Sequence, residues 1–437
     1  MDWHLSLVVM FTTILALMAI GMPVAVAFLT INLLGTLYFM GGLSGIDQLI
    51  ANSTTSITNF SLVPVPLFLV MGELLFHTGL AMRVFDALDK CFGGIKGRLS
   101  YMTVVGGTVF ATLSGSSMAN TAMLGSTLMP DMVKRGYKPH MIMGPIVATG
   151  GLAMIIPPSS LAVLLGSIGR IDVGALLIAG MIPGLLLALM FILVIRTQIS
   201  LDPTSAPGHP GVKASVPEMI KAVTFDVLPM GLVIFAVVGL ILLGWATPSE
   251  SAAFGVLAVA FLAALCKKLT IEAIIKSLRG ALIVSTLMLT IIIGSTTFSQ
   301  ILAFSGASSG LIMWSSGFDL NAYTMLAILF LTLVFLGMFM DQLSIMMLTL
   351  PVFMPLVSLY GFDQVWFGVV MLLALELSLA TPPFGLLLFV MVGVSPKGTT
   401  IGNVAWAALP YILCTLALIV VLAIFPELAT WLPQITR

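Results

Sequence analysis

Four apolar runs in this chain are too short to cross a bilayer, and they come in two pairs. Residues 99–113 and 121–133 flank the polar stretch L-S-G-S-S-M-A-N; residues 323–338 and 344–358 flank F-M-D-Q-L. A spanning helix needs about 20 apolar residues. Two short pieces joined by a polar tip predict a re-entrant helical hairpin that enters and leaves on one face. Ser114, Gly115, Ser116, Ser117, Asn120 and Thr121 are poor neighbours for lipid. A polar group left unsatisfied in hydrocarbon is costly, and irregular backbone at membrane depth is tolerated only where protein or a cavity surrounds it. The bland alternative for the small residues is close helix packing.

The rest of the chain is the kind of sequence in which such hairpins occur. Of its 437 residues, 59% are hydrophobic and 8% charged, with a mean hydropathy of +1.19. A soluble domain carries about 25% charged residues. This composition specifies an all-α polytopic membrane protein and leaves no polar stretch long enough for a soluble domain. Further apolar segments fall at 5–20, 23–40, 60–80, 141–168, 174–196, 226–244, 250–266, 280–302, 365–394 and 401–425. Residues 199–222, rich in Pro, Gly and Ser, read as a loop. No cleavable signal peptide is expected, because no small-residue cleavage pattern and polar mature sequence follow the first apolar run. Cys91, Cys266 and Cys414 have no metal-type spacing. The absence of a G-x-x-x-x-G-K-[ST] pattern excludes a P-loop ATPase. Glu73 and His77 stand at i,i+4 and could share a hydrogen bond.

Basic residues orient the chain. Arg83, Lys90, Lys96, Arg98, Lys134, Arg135 and Lys138 flank the first hairpin, whereas 303–322 and 359–364 around the second hold no Lys or Arg. The positive-inside rule then opens the first hairpin to the cytoplasm and the second to the outside. Arg196, Lys213, Lys221, Lys267, Lys268, Lys276, Arg279 and Lys397 also fall inside. Of the 17 basic residues only Arg170 and Arg437 fall outside, as do both termini.

The two halves share a register. At an offset of 225, Met129-Pro130 falls on Met354-Pro355, Gly136 on Gly361, and Pro157-Pro158 on Pro382-Pro383. With two further residues inserted, Gly79 meets Gly306 and Pro183 meets Pro410. Prolines and glycines mark bends, so shared bends in opposite orientation predict two inverted-topology repeats, the build of many secondary transporters. The expected divisions are scaffold helices in 1–80, a first transport half in 81–172, scaffold and connecting arm helices in 173–302, a second transport half in 303–396, and a C-terminal helix in 397–437.

Each hairpin is followed by an interrupted helix: A-T-G-G-L-A-M-I-I-P-P-S-S at 148–160 and E-L-S-L-A-T-P-P-F-G at 376–385. Pro157, Pro158, Pro382 and Pro383 remove backbone donors and free carbonyls upstream. Freed carbonyls at the midplane suit sodium, and half-helix N-termini with hydroxyls nearby suit a carboxylate. Ser114, Gly115, Ser116, Ser117 and Asn120 therefore face the break at Gly150–Ser159 and cage a cation and part of a substrate. Asp341 is the acid at a tip and a candidate functional group. Glu376 could serve the site or be a structural hydrogen-bonding group.

Taken together, L-S-G-S-S-M-A-N-T-A, G-G-L-A-M-I-I-P-P-S, G-M-F-M-D-Q-L-S and A-T-P-P-F-G-L-L-L-F-V resemble the large membrane subunit of tripartite ATP-independent periplasmic (TRAP) transporters over essentially the whole chain. The resemblance implies a sodium-driven importer of organic acids in the bacterial inner membrane. Its partners would be a small four-helix membrane subunit and a periplasmic solute-binding protein, and it would work by an elevator motion. No nucleic-acid partner and no cofactor other than coupling sodium ions are expected. By the same resemblance, sodium regions map to Ser114, Ser116 and Asn120 with Gly150 and Gly151, and to Gly337, Met340 and Asp341 with Thr381. Ser114, Ser116, Ser117, Ser159 and Asp341 map to the substrate side. The second tip has Met-Asp where the first has Gly-Ser, so the halves are expected to bind unlike groups. With no arginine near either tip, a monoanion is favoured weakly over a dicarboxylate. The alternatives are a stand-alone sodium/dicarboxylate symporter of the same architecture, a channel, and an intramembrane enzyme with Ser114 or Ser116 as nucleophile. The enzyme lacks a His or Lys base at comparable depth.

Overall fold

The short apolar runs do become helices that stop in mid-protein. The computed structural model describes residues 2–206, 215–317, 320–383 and 385–436. Lys213 and Arg437, placed above by charge, and Phe384 of the second break motif lie outside them. Every regular element among the described residues is helical. Among the described residues, seven helical stretches are long and apolar enough to span a membrane.

The first half runs α1 (Trp3–Ala19), α2 (Val24–Phe39), α3 (Leu43–Ile57), α4 (Pro64–His77), α5 (Leu80–Phe92), α6 (Arg98–Ser114), α7 (Ser117–Lys134), α8 (Pro139–Gly151), α9 (Ser160–Gly169), α10 (Val173–Ala179) and α11 (Met181–Leu201). Next come α12 (Val216–Ala222), α13 (Leu228–Ile234) and the short α14 (Leu240–Leu242), joined by wider π-type turns into one apolar span, then α15 (Pro248–Leu265) and the long α16 (Ile271–Phe304). The second half continues with α17 (Ala307–Ser316), α18 (Ala322–Gly337), α19 (Gln342–Leu359), α20 (Gln364–Leu379), α21 (Leu386–Val394), α22 (Ile401–Ile424) and α23 (Glu427–Ile435).

Helix, tip, helix, interrupted helix thus occurs as α6–α7–α8–α9 and again as α18–α19–α20–α21. The paired bends match in backbone conformation. Gly79 and Gly306 have φ of 66° and 72°, Gly136 and Gly361 of 80° and 70°, and both Pro–Pro bonds are cis. These left-handed turns are open to glycine at no steric cost.

Because lipid is as apolar as the side chains, helices in a membrane associate through close packing, which small residues permit. Side-chain-free positions let the interrupted helices approach their neighbours. A Cβ on Gly144 of α8 would sit 2.5 Å from the Ala407 carbonyl of α22, and one on Gly180 would sit 2.2 Å from the Ile155 carbonyl in the first break. In consequence α8 is buried from Met141 to Gly151 and α20 from Trp366 to Leu379. Around them, α16 packs on α2, α3 and α4.

Two segments differ from the sequence reading. The stretch 199–222 is not loop throughout: α11 persists to Leu201, and α12 starts at Ser215, whose N–H donates to Glu218 Oε2 at 2.9 Å in a capping arrangement. The polar-looking stretch after residue 40 is the amphipathic α3, whose Leu43, Ile46, Leu49 and Ile50 recur at helical spacing. The Glu73–His77 pair forms, at 3.2 Å.

Candidate functional site: two tips against two helix breaks

The first tip is a tight reversal. α6 ends at Ser114, Gly115 turns the chain with φ 59°, and Ser116 accepts a hydrogen bond from the Ala119 N–H at 3.4 Å to start α7. Ser117 and Asn120 therefore lie in the first turn of α7, just past the tip itself. The tip touches the N-terminus of α9: Ser160 Oγ donates to the Gly115 carbonyl at 3.2 Å, while Ser159 caps α9 by accepting from Ala162 N–H at 3.2 Å. From the other side α4 closes in, because Gly72 lacks a side chain. A Cβ there would meet the Ser114 carbonyl oxygen at 2.5 Å.

Behind the tip, α7 packs on the end of α8 and brings together oxygens that have no hydrogen-bond partner. Asn120 Nδ2 donates to the Thr149 carbonyl at 3.1 Å and the Gly107 carbonyl at 3.4 Å, which ties α6, α7 and α8 together. Its Oδ1 is buried without a partner, as are Ser114 Oγ, Ser117 Oγ, Thr121 Oγ1 and Thr149 Oγ1. Gly150 borders this cluster: a Cβ on it would be 1.8 Å from Thr121 Oγ1 and 3.3 Å from the Ser117 carbonyl. Most buried polar atoms in folded proteins are satisfied, and these five oxygens on the adjoining ends of α6, α7 and α8 mark a candidate site. Uncharged oxygens at a helix C-terminus suit a hard monovalent cation, and the residues present fit sodium.

Gly151 approaches a different group. A Cβ there would be 2.3 Å from Glu376 Oε1, so the absence of a side chain lets the α20 carboxyl reach the first break. Glu376 is buried, and its Oε2 has no partner. It lines a cavity of about 20 Å³ together with Gly151, Phe191, Tyr411 and Thr415, room for about one water. The structure thus joins Glu376 to the first half through Gly151.

The second tip is built otherwise. α18 ends at Gly337, where a Cβ would meet Ser378 Oγ at 2.1 Å, so the tip lies directly on α20. Met340 is buried in the turn. The Asp341 carboxylate accepts from Leu343 N–H at 3.0 Å, from Ser344 N–H at 3.1 Å and from the Ser344 hydroxyl. It caps its own helix, and its acceptor capacity is largely committed there. Thr381 Oγ1 donates to the Leu377 carbonyl at 2.7 Å, just before Pro382 and Pro383. The breaks at Pro157-Pro158 and Pro382-Pro383 each separate two helices as expected from the sequence. Thr149, Ser378 and Tyr411 lie against the two breaks without having been singled out for them, and Thr121, named above only as a poor neighbour for lipid, joins the first. A threonine in an apolar run looks like an ordinary helix residue, and only the flanking Gly150-Gly151 marks the spot.

Residues 11–428 match the profile of the family described as tripartite ATP-independent periplasmic transporter, DctM component. The chain belongs to this family. As a TRAP large permease it is similar to the C4-dicarboxylate TRAP transporter large permease protein DctM of Rhodobacter capsulatus, with 30% identity over 450 residues covering 99% of each chain. It is also 28% identical to the ectoine TRAP transporter large permease protein TeaC of Halomonas elongata, over 97% of this chain and 98% of that one. Among solved structures, the YdaH transporter of Alcanivorax borkumensis superposes with a TM-score of 0.62 at 15% identity, covering 89% of each chain, which speaks to fold alone. The chain is thus a multi-pass membrane subunit of a transporter and not an enzyme; the serine-nucleophile alternative is set aside.

Proposed function

We propose that this TRAP subunit imports an organic acid into the bacterial cytoplasm, driven by sodium. The observation that carries the reading is the set of five buried, unpartnered oxygens on the adjoining ends of α6, α7 and α8, with α7 and α8 in close contact where Gly150 lacks a side chain. One sodium ion binds there, against the C-terminus of α8. The substrate's anionic group sits at the first tip, on the N-terminal ends of α7 and α9 with Ser116 and Ser159, where helix dipoles favour negative charge. Uncharged hydroxyls at that tip and the self-capping of Asp341 favour a substrate with one anionic group. The relatives' named substrates, a C4-dicarboxylate and ectoine, bracket the class without selecting a member.

The matching bends of the two halves support an inverted repeat in which both hairpins move together as an elevator against α1–α4 and α16. The partners are a small membrane subunit and a periplasmic binding protein, in the inner membrane, with both termini external as the basic residues indicate. The test is uptake into proteoliposomes holding this chain and its small partner, over a panel of labelled organic acids. Uptake that needs both an inward sodium gradient and the binding protein is expected. Sodium-driven uptake without a binding protein would move the chain to the stand-alone symporters. Uptake indifferent to sodium would refute the reading.

A further inference from the structure

A cavity of about 520 Å³ opens between α3, α9, α16 and α19, and no residue of either tip lines it. Its size is that of a small-molecule site. Its polar wall includes Asn52, Ser56, Ser167, Thr296 and Gln300. Much of that wall is internally paired: Asn52 donates to Gln300, Ser56 and Thr296 share a hydrogen bond of 2.6 Å, and Ser167 donates to the Ser61 carbonyl at 2.9 Å. The single charged residue in the lining is Arg170; no Asp, Glu or Lys accompanies it. Among the described residues no ion pair involves Arg170.

Arg170 ends α9 with φ 56° and ψ 33°, in the left-handed region. Glycine closes helices there without cost, whereas a Cβ crowds the following carbonyl. Lys267 has the same φ of 56° just past the end of α15, so the left-handed turn marks both as helix ends, and what is particular to Arg170 is its charge in the cavity lining. α9 runs from the first break toward the face that the distribution of basic residues assigns to the outside. Among the described residues that line the cavity, the Arg170 guanidinium is the one positive group.

We propose that this cavity is an outer anion vestibule, in which Arg170 captures the acidic group of the cargo and selects carboxylates over neutral molecules before they reach the tip. The proposal rests on the reading of the chain as an organic-acid importer. A single positive charge over paired hydroxyls and amides gives attraction without tight binding, as a waypoint requires.

Two measurements decide it. In a background with Cys91, Cys266 and Cys414 replaced by Ala, Ser299→Cys places one thiol on the vestibule wall. Anionic and cationic methanethiosulfonates are then applied from outside, with and without Arg170→Gly. Arg170→Gly removes the charge and suits the backbone, so misfolding cannot imitate the effect. The anionic-to-cationic rate ratio is expected to fall roughly five-fold on loss of the charge, from one charge acting over a water-lined cavity. An unchanged ratio, or no labelling from outside by either reagent, would overturn the proposal. In proteoliposomes at low ionic strength, Arg170→Gly is expected to raise the substrate KM about ten-fold, the worth of one charge-assisted contact, with the maximal rate retained and Arg170→Lys largely rescuing. Unchanged KM would also overturn it. If the wild-type chain carries no organic acid, the transport reading fails instead, and the labelling ratio still decides the vestibule.

Discussion

Gly150→Ala tests the first-tip cage by adding one methyl group. The new Cβ would stand 1.8 Å from Thr121 Oγ1, against an ordinary contact distance of 3.4 Å, so the two must separate by 3.4 minus 1.8, about 1.6 Å. Thr121 can rotate its hydroxyl out of the cage, or α7 can lift from α8. Either move takes Thr121 Oγ1 away from the proposed sodium site. Overpacking a core of this kind costs about 1–3 kcal/mol. A lost contact to a charged species costs about 1.5–3 kcal/mol, or roughly ten- to a hundred-fold in affinity. The assay is the sodium activation curve of uptake, alongside thermal unfolding in sodium and in potassium. The half-saturating sodium concentration is expected to rise at least ten-fold, and stabilisation by sodium to disappear. The double variant Gly150→Ala with Thr121→Ala returns the room but not the oxygen. It is expected to regain stability and still require high sodium. Wild-type sodium activation in Gly150→Ala, or full recovery of sodium affinity in the double variant, would refute the assignment.

Four further substitutions, at three positions, probe neighbouring parts of the site. Asn120→Ala removes the two side-chain hydrogen bonds that tie α6, α7 and α8 together through the Gly107 and Thr149 carbonyls; thermal stability is expected to drop by about 1–3 kcal/mol, and transport with it. Asp341→Asn keeps an acceptor for the N–H groups of Leu343 and Ser344, so it is expected to insert and fold normally while uptake is lost; near wild-type uptake would make Asp341 only a helix cap. Asp341→Ala should cost about 1 kcal/mol of stability in addition, read by unfolding in detergent. Gly72→Ala presses a methyl on the Ser114 carbonyl across the contact between α4 and the first tip. It is expected to slow uptake several-fold, since it disfavours one conformation, and to change sodium affinity less than Gly150→Ala, because it meets the Ser114 backbone and not its hydroxyl.

What the sequence made legible follows from how membranes constrain chains. Pro157-Pro158 and Pro382-Pro383 forbid continuous helix wherever they sit, so both breaks could be placed without coordinates. The apolar runs around Ser114–Ser117 are too short to span, and lipid allows few other uses for them. Amphipathic α3 escaped because Ser44-Gly45 and Asp47-Gln48 interrupt Leu43, Ile46 and Leu49-Ile50, so no long apolar run forms. The missing part of the site has a different cause. Thr121 and Thr149 are buried with unpartnered hydroxyls only because α7 and α8 cross where Gly150 allows contact, and helix crossing is not a local property of sequence. Asp341 carried a second signal beside its unusual depth. D-Q-L-S is also a helix start, with Ser344 three residues on, and the structure displays that capping role.

The central claim is that the oxygens around Gly150 hold a coupling sodium ion, and the most direct measurement is equilibrium binding of radioactive sodium to the purified chain with its small partner. Saturable binding is expected, displaced by unlabelled sodium and not by potassium, and weakened at least ten-fold by Thr121→Ala. Absence of saturable sodium binding, or binding that Thr121→Ala leaves intact, would contradict it.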